Sequence, residues 1–297
     1  MSSVPCNSID PESTSIEDTV FQLSNQDLRC ARIEDSSTPD ENGKLLVVIP
    51  STDATSSILK DFGKRNKSSF QRTIMSSIVA QLSSEMFDWN SQGRWSQSEN
   101  LLLFSTRSPG TLSFSPKPDL SISFTLNSLT GEDVDIPVPS DLERCLSPED
   151  SHRCFPFLFL ETNHKEADLI LAFRINLGTT ALALKNIYEF MVRAEREEDF
   201  FKDVRVFSFV LNPGYLNLRE HRAEKQPDGE IIFRFQQLLN LSPYTQSQAN
   251  LLSEKIVTKY AAKILHPLLV TTFKIVGKQT AQQVEYLRSV SRRGMKP

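Results

Sequence analysis

The feature that most constrains the fold is an uninterrupted apolar run, FPFLFL, at residues 155–160. A strand that is apolar at every position, rather than at every second one, is typical of a strand covered on both faces. A charged cluster follows at once, and residues 168–198 then carry a long helical pattern with Gly178 inside it. The sequence therefore predicts a sheet that lies between other layers, with this strand inside it.

Four further segments have strand patterns. DLSISFTL at 119–126 alternates strictly between apolar and polar residues, which indicates a half-buried strand. VRVFSFVL, YLNLREHRA and EIIFRFQ are separated by the turn sequences NPGY at 212–215 and PDG at 227–229. Three strands joined by two turn signals predict an antiparallel meander.

Helical patterns flank these strands. Apolar residues recur every fourth position from Phe70 to Met86, which predicts an amphipathic helix opened by the capping box of Ser68 and Gln71. A polar stretch at 88–100 and a strand at 101–105 follow. The chain from Gln246 is again helical, with an interruption predicted at Pro267 because proline cannot donate a backbone hydrogen bond. This mixed order predicts an α/β protein, a sheet flanked by helices.

Charge and composition divide the chain. Residues 1–60 carry ten acids and four bases, whereas residues 255–297 carry nine bases and one acid. We predict a disordered acidic tail at 1–43, because its apolar side chains are too few to offset the entropy of ordering it. A single domain is predicted at 44–280 and a basic tail at 281–297. The short apolar run at 45–49 fits either an added strand or a docking segment.

Composition and motifs exclude several classes of protein. With 297 residues, a net charge of -4 and 39% hydrophobic residues, the chain has the composition of a soluble globular protein, and no run approaches a membrane span. Four cysteines without a CxxC pair, and a start without a signal sequence, predict a reduced intracellular protein of cytoplasm or nucleus. The GxGxxG, P-loop, GxSxG and HExxH motifs are absent.

Two carboxylates stand at strand ends. Asp119 opens the alternating strand, and Glu161 closes the apolar one. If these strands are neighbours, the two side chains converge and offer the hard oxygen ligands that Mg²⁺ prefers. The alternative is structural, with Asp119 starting a strand after a proline turn and Glu161 forming a solvated strand end.

These segments resemble the PD-(D/E)xK nuclease superfamily and, within it, the fungal PD-(D/E)xK nuclease-like domain proteins. Pro118-Asp119 resembles the PD half of the motif, and the strand ending at Glu161 resembles the second half. The preceding helix, the long helix with Asn176 and the VFSFVL strand are similar as well. The resemblance covers residues 68–236 and implies a restriction-endonuclease-like mixed sheet. It also implies Mg²⁺ or Mn²⁺ at Asp119 and Glu161 and hydrolysis of phosphodiesters in nucleic acid.

The sequence departs from the family pattern at two points. Asn163 stands where the family has a lysine that orients water or stabilises phosphate oxygens, and an amide carries no positive charge. Lys165 shares the strand parity of Glu161 and could replace that lysine, or it could be a surface residue. The first helix offers Gln71 and Arg72 where many family members have a glutamate. The alternative to an active nuclease is therefore an inactive one that binds nucleic acid or protein.

Nucleic acid would be contacted by basic side chains, and we predict five of them for this role: Arg72, Arg174, Lys255, Lys259 and Lys263. The three lysines recur every fourth residue and share a helix face, which is alternatively a solvated surface. The C-terminal helical region could dock a protein partner, or it could pack on its own sheet. Trp89 and Trp95, both in a polar loop, are predicted to anchor that loop, with a partner surface as the alternative.

Overall fold

A computed structural model describes eleven stretches of the chain. They are residues 19–24, 31–35, 67–80, 82, 85–95, 99–105, 108–131, 146, 148, 152–163 and 169–294. The strands are β1 (Thr19–Ser24), β2 (Ala31–Asp35), β3 (Phe87–Asn90), β4 (Glu99–Ser105), β5 (Ser108–Phe114), β6 (Leu120–Thr125), β7 (Arg153–Thr162), β8 (Val206–Asn212), β9 (Tyr215–Lys225) and β10 (Ile231–Leu241).

The chain also forms six α-helices and one π-helical segment among the described residues. They are α1 (Lys67–Val79), α2 (Leu126–Thr130), α3 (Leu169–Arg193), α4 (Glu197–Asp203), α5 (Gln246–Lys255), a π-helical segment (Ile256–Leu265) and α6 (His266–Gly294). The long helix predicted at 168–198 ends at Arg193 and is followed by the separate helix α4. Glu195, in the turn between them, has a positive φ of 58° that stops α3 from continuing.

The described strands form one mixed sheet in the order β3-β6-β7-β8-β9-β10-β2-β1-β4-β5. Two neighbouring pairs are parallel, β7 with β8 and β10 with β2, and the others are antiparallel. Six strands, β3-β6-β7-β8-β9-β10, form the contiguous part that helices flank. The predicted α/β class is confirmed, with its mixed central sheet, its antiparallel meander β8-β9-β10 and its helical C-terminus. The architecture fits the predicted restriction-endonuclease-like arrangement.

Helices cover both faces of this sheet. Phe173 and Thr180 of α3 contact Arg219 and His221 of β9, so α3 lies on the face that carries these two side chains. Tyr260 of the π-helical segment packs on Phe207 of β8, with ring centroids 5.0 Å apart, on the opposite face. Both layers join the same hydrophobic core. The fully buried apolar run of β7 lies between them, as its sequence predicts.

Four strands lie where the sequence predicts none, and one of them is β5, which pairs with β4. β1 and β2 fall within the tail predicted to be disordered, and they pair with β4 and β10. Averaging composition over residues 1–43 dilutes short strand-forming pieces such as TVFQLS. β3 falls within the predicted polar stretch, and it is an edge strand, a position that tolerates Asp88 and Asn90.

The C-terminal helix is continuous, so the interruption predicted at Pro267 is wrong. The ten residues before α6 are π-helical, and the backbone N–H of His266 donates to the carbonyl of Ala261, five residues earlier. This wider spacing shifts the carbonyls away from the proline ring. α6 also crosses the domain boundary predicted at 280 and ends at Gly294. Among helices of the described residues, none combines the length and apolar character that a membrane span needs.

Candidate functional site

Strand register brings the two predicted acids together. β6 and β7 are antiparallel neighbours, with Leu120 paired to Leu160. Asp119 immediately precedes this pair on one strand, and Glu161 immediately follows it on the other. Residues opposite each other on antiparallel strands have Cβ atoms about 4.5–5.5 Å apart. The two carboxylates therefore belong to one end of the sheet, although they are far apart along the chain.

Asp119 is held by the end of β7. Its Oδ2 atom accepts hydrogen bonds from the backbone N–H of Thr162 at 2.8 Å and from the Thr162 hydroxyl at 2.7 Å. Its backbone carbonyl accepts from the N–H of Gln92 at 3.1 Å. The Asp119 side chain is consequently fixed to Thr162, the residue that follows Glu161. Thr162 has no signal in the sequence that would have identified it as the partner.

The chemistry of these donors fits a hard divalent cation. Oδ1 of Asp119 accepts no hydrogen bond from a described residue and remains available to a ligand. Glu161 is only 6% exposed, which strengthens its attraction for a cation. Within the described stretches, no three His, Cys, Asp or Glu side chains form a group that could hold a metal ion. A cation here would complete its coordination with water and substrate oxygens, as Mg²⁺ commonly does.

Asn163 and Lys165 are the other two residues predicted to be catalytic. Asn163 lies two residues after Glu161, and its backbone N–H donates to the carbonyl of Leu211 at 2.8 Å, which continues the pairing of β7 with β8. Lys165 lies outside the described residues. Asn176 of α3 is buried and donates its side-chain amide to the carbonyl of Phe209 at 3.0 Å, so this residue ties α3 to β8.

The five predicted nucleic-acid contacts fall into two groups. Phe173 clusters with Val210, the β8 residue paired with Glu161, so the part of α3 that carries the next residue, Arg174, lies at the same end of the sheet as the acid pair. Arg72 lies on α1 and lines a groove described below. Lys255, Lys259 and Lys263 flank Tyr260, whose hydroxyl contacts Arg205 just before β8 begins. Because Glu161 is level with the end of β8, the lysines lie toward the opposite end of the sheet.

The C-terminal helical region, predicted either to dock a partner or to pack on its own sheet, packs its apolar residues on the sheet. Leu252, Ile256, Tyr260, Leu265 and Leu268 are all buried in the core. Exposed apolar residues occur farther along α6. Trp95 is 2% exposed and packs on Phe159 at 6.0 Å between ring centroids, so it anchors its loop as predicted.

A buried positive charge lies on the α3 face of the sheet. The register aligns Glu161 with Val210 of β8 and then with Asn217 of β9, which accepts a hydrogen bond from Arg219 at 3.0 Å. The Arg219 guanidinium lies over the Phe173 ring, 4.0 Å from its centroid. Arg219 gives no signal of its own in the sequence, because it lies among the other polar residues of β9.

His221 continues this buried row. Its Nε2 is 2.8 Å from the Ser208 hydroxyl, and its Nδ1 is 3.1 Å from the Thr180 hydroxyl. The Thr180 hydroxyl lies 2.8 Å from the Asn176 carbonyl, to which it donates its proton, and it therefore accepts from Nδ1–H. Burial first, and then the charge of Arg219, hold the pKa of His221 well below its ordinary value of 6.5. The imidazole is neutral in the folded protein.

This neutral histidine makes stability depend on pH. The unfolded chain binds a proton at His221 below about pH 6.5, whereas the folded chain does not until a lower pH, so acid favours unfolding in that window. We expect the free energy of unfolding to fall with a slope approaching about 1.4 kcal/mol per pH unit from this site. Urea unfolding between pH 7.5 and 5 measures it. A His221→Gln variant should lose this component; an unchanged slope in the variant contradicts the assignment.

The fold and the acid pair define an α/β protein with a candidate cation site at one end of a mixed sheet. Residues 54–236 match the family described as a domain of unknown function, DUF7924, and the chain belongs to this family. The matched range contains the acid pair, α1 and β3, and it ends before the lysines of the C-terminal helix. No curated protein matches the sequence.

Proposed function

We propose that the chain is a PD-(D/E)xK nuclease-like protein that hydrolyses phosphodiester bonds of nucleic acid with a divalent cation at Asp119 and Glu161. One observation carries this proposal, the β6–β7 register that brings the two acids to one sheet end. The fixed Asp119 carboxylate and the buried Glu161 support it.

Each residue has a distinct part in this proposal. Thr162 orients the Asp119 carboxylate through its two hydrogen bonds, so little reorganisation accompanies ligand binding. The amide of Asn163 can donate a hydrogen bond to a phosphate oxygen without adding charge. Arg174 supplies a positive charge near the same sheet end. The cation, when bound, supplies an activated water and neutralises charge on the phosphodiester.

Cleavage assays test the proposal directly. The purified chain is incubated with labelled single-stranded and double-stranded DNA and RNA, with Mg²⁺, Mn²⁺ or a chelator. We expect cation-dependent cleavage that Asp119→Asn slows by at least about 100-fold, because a cation contributes several kcal/mol to the transition state. Glu254→Gln, on the exposed side of α5, is the matched control. Cleavage that survives Asp119→Asn rejects this site, and no cleavage of any substrate rejects the hydrolase.

A second candidate function is an inactive nuclease-like module that binds nucleic acid or protein. The observation that favours it is the replacement of two charged residues of the family pattern, with Asn163 in place of a lysine and Gln71 and Arg72 in place of a glutamate on α1. The hydrogen bonds from Thr162 also give Asp119 a structural role at the end of β7.

Calorimetric titration separates the two candidates. The hydrolase requires Mg²⁺ or Mn²⁺ to bind the chain with an affinity that Glu161→Gln removes. The inactive module requires retained nucleic-acid binding, measured by fluorescence anisotropy, without cleavage under any cation condition. A chain that binds a cation and cleaves excludes the inactive module.

A further inference from the structure

A groove of about 580 Å³ runs between α1 and the edge strand β3. Its volume lies within the range of ordinary ligand sites. Met75 and Val79 of α1 supply apolar surface, and Trp89 of β3 stands opposite them. Trp89 is 40% exposed, which is unusual for so large an apolar side chain. The groove therefore presents an accessible indole ring beside a helix.

The charges around this groove have one sign. Among the described side chains that line it, Arg72 is charged and none is a carboxylate. Asp88, the neighbour of Trp89, accepts from Arg153 at 3.0 Å and is therefore already neutralised. Neither Arg72 nor the nearby exposed Arg94 pairs with a carboxylate of a described residue. An anionic ligand fits this distribution, and an acidic phosphate backbone is such a ligand.

The groove is continuous with the acid pair. Gln92 lines the groove and donates its backbone N–H to the carbonyl of Asp119. The next contact along the loop joins the N–H of Trp95 to the carbonyl of Pro116 at 3.0 Å. Arg94 and Lys117, both exposed, are the neighbours of these two residues. Two exposed positive side chains thus belong to the two segments that meet where Gln92 contacts Asp119.

We propose that this groove binds a single-stranded segment of nucleic acid, with a base stacked on Trp89 and a phosphate at Arg72. The proposal rests on the nucleic-acid part of the function proposed above, and it does not require cleavage. Stacking on an aromatic ring needs a base that is free of its neighbours, which single strands offer and duplexes do not. It accepts any base, because every base has an aromatic face.

Intrinsic fluorescence gives a direct measurement of this contact. The sequence has two tryptophans, and Trp95 is buried, so an added oligonucleotide can reach Trp89 alone of the two. We expect a 12-nucleotide oligo(dT) or oligo(U), added with a chelator to prevent cleavage, to quench the emission with saturation. A duplex of the same length should quench it at least about tenfold more weakly.

Variants identify the two contacts separately, with affinity measured by anisotropy of a labelled oligonucleotide. Trp89→Ala should weaken binding by about 5- to 150-fold, the effect of losing one stacked base, and Trp89→Phe should weaken it less. Arg72→Gln should lower the slope of log affinity against log salt by about 0.7. Tyr286→Ala and Arg288→Gln, both on the exposed part of α6, are the matched controls and should change neither quantity.

The outcomes separate this proposal from the nuclease. Binding that falls with Trp89→Ala supports the groove, whether or not the chain cleaves. Cleavage with binding that Trp89→Ala leaves unchanged overturns the groove and retains the nuclease. Equal binding of duplex and single strand overturns it too, as does an Arg288→Gln effect as large as that of Arg72→Gln. If no oligonucleotide binds, both proposals fail, and a protein segment becomes the candidate occupant beside β3.

Discussion

Replacing Glu161 by glutamine is expected to remove the thermal stabilisation that Mg²⁺ or Mn²⁺ confers on the folded chain. A ligand that binds only the folded state stabilises it by about 2.7 kcal/mol at a concentration 100 times its dissociation constant. Glutamine keeps the shape of the side chain but removes its charge, and at 6% exposure that charge is only weakly screened by solvent. Melting curves with and without each cation measure the effect.

The size of this effect can be stated as a temperature. One kcal/mol corresponds to about 2–4 °C in a domain of 150–250 residues, so the wild-type chain should melt roughly 5–10 °C higher with saturating cation. The variant should show almost no difference. This readout needs no substrate, and it therefore tests the cation site even in a chain that does not cleave.

Asp88→Asn provides the matched control for this experiment. Asp88 lies on β3, and its carboxylate accepts a hydrogen bond from Arg153 at the start of β7, at the opposite end of that strand from Glu161. Its removal should lower the melting temperature slightly and leave the shift produced by the cation intact. A wild-type chain that no divalent cation stabilises contradicts the cation site. A Glu161→Gln variant that keeps the full shift places the cation elsewhere.

The strands that carry the site follow from local patterns. The alternation of β6 and the apolar run of β7 determine where each strand ends, and Asp119 and Glu161 mark those ends. The meander of β8, β9 and β10 follows from its two turns, which are short and rich in Pro and Gly. In each case the signal lies within about ten residues, so a single sequence can reveal it.

The contacts between these strands could not be predicted. More than twenty residues separate β6 from β7, and their register depends on packing over that whole distance. Thr162 became a partner of Asp119 only through this register. The Arg219 position beside Phe173 likewise requires β9 and α3 to meet across the sheet.

The groove could not be predicted from the sequence either, because it depends on a strand too short to be recognised. β3 has four residues, two of them polar, and its pattern is too short to identify a strand. Without β3 the sequence offers no reason to place Trp89 opposite α1. The π-helical segment is similar, because its hydrogen-bond spacing has no signature in the residues themselves.

The second large effect concerns a buried ion pair at the start of β8, away from the end that pairs with Glu161. Arg205 and Glu220 are 5% and 2% exposed, and the Arg205 Nε atom lies 3.4 Å from a Glu220 oxygen. Arg205 also donates to the carbonyls of Lys202 and Val204 at 3.0 and 2.7 Å, near the end of α4. One guanidinium therefore compensates a buried carboxylate and caps a helix.

Arg205→Met is expected to lower the free energy of unfolding by about 3–5 kcal/mol, since it leaves the Glu220 charge buried without this partner. Urea unfolding at pH 7.5 measures the loss, and circular dichroism at low temperature checks that the variant still folds. Arg205→Lys keeps the charge but loses the branched donors, so it should lie between the variant and the wild type.

Combining Arg205→Met with Glu220→Leu distinguishes the ion pair from the space that its side chains fill. If an uncompensated charge causes the loss, removing that charge should restore most of the stability, because apolar residues of similar volume often replace a buried pair without loss. If the double variant is no more stable than Arg205→Met alone, the helix cap on α4 is the main contribution of Arg205. The ion pair would then form because β9 packs against the C-terminal helix, and it would contribute little to the free energy of unfolding.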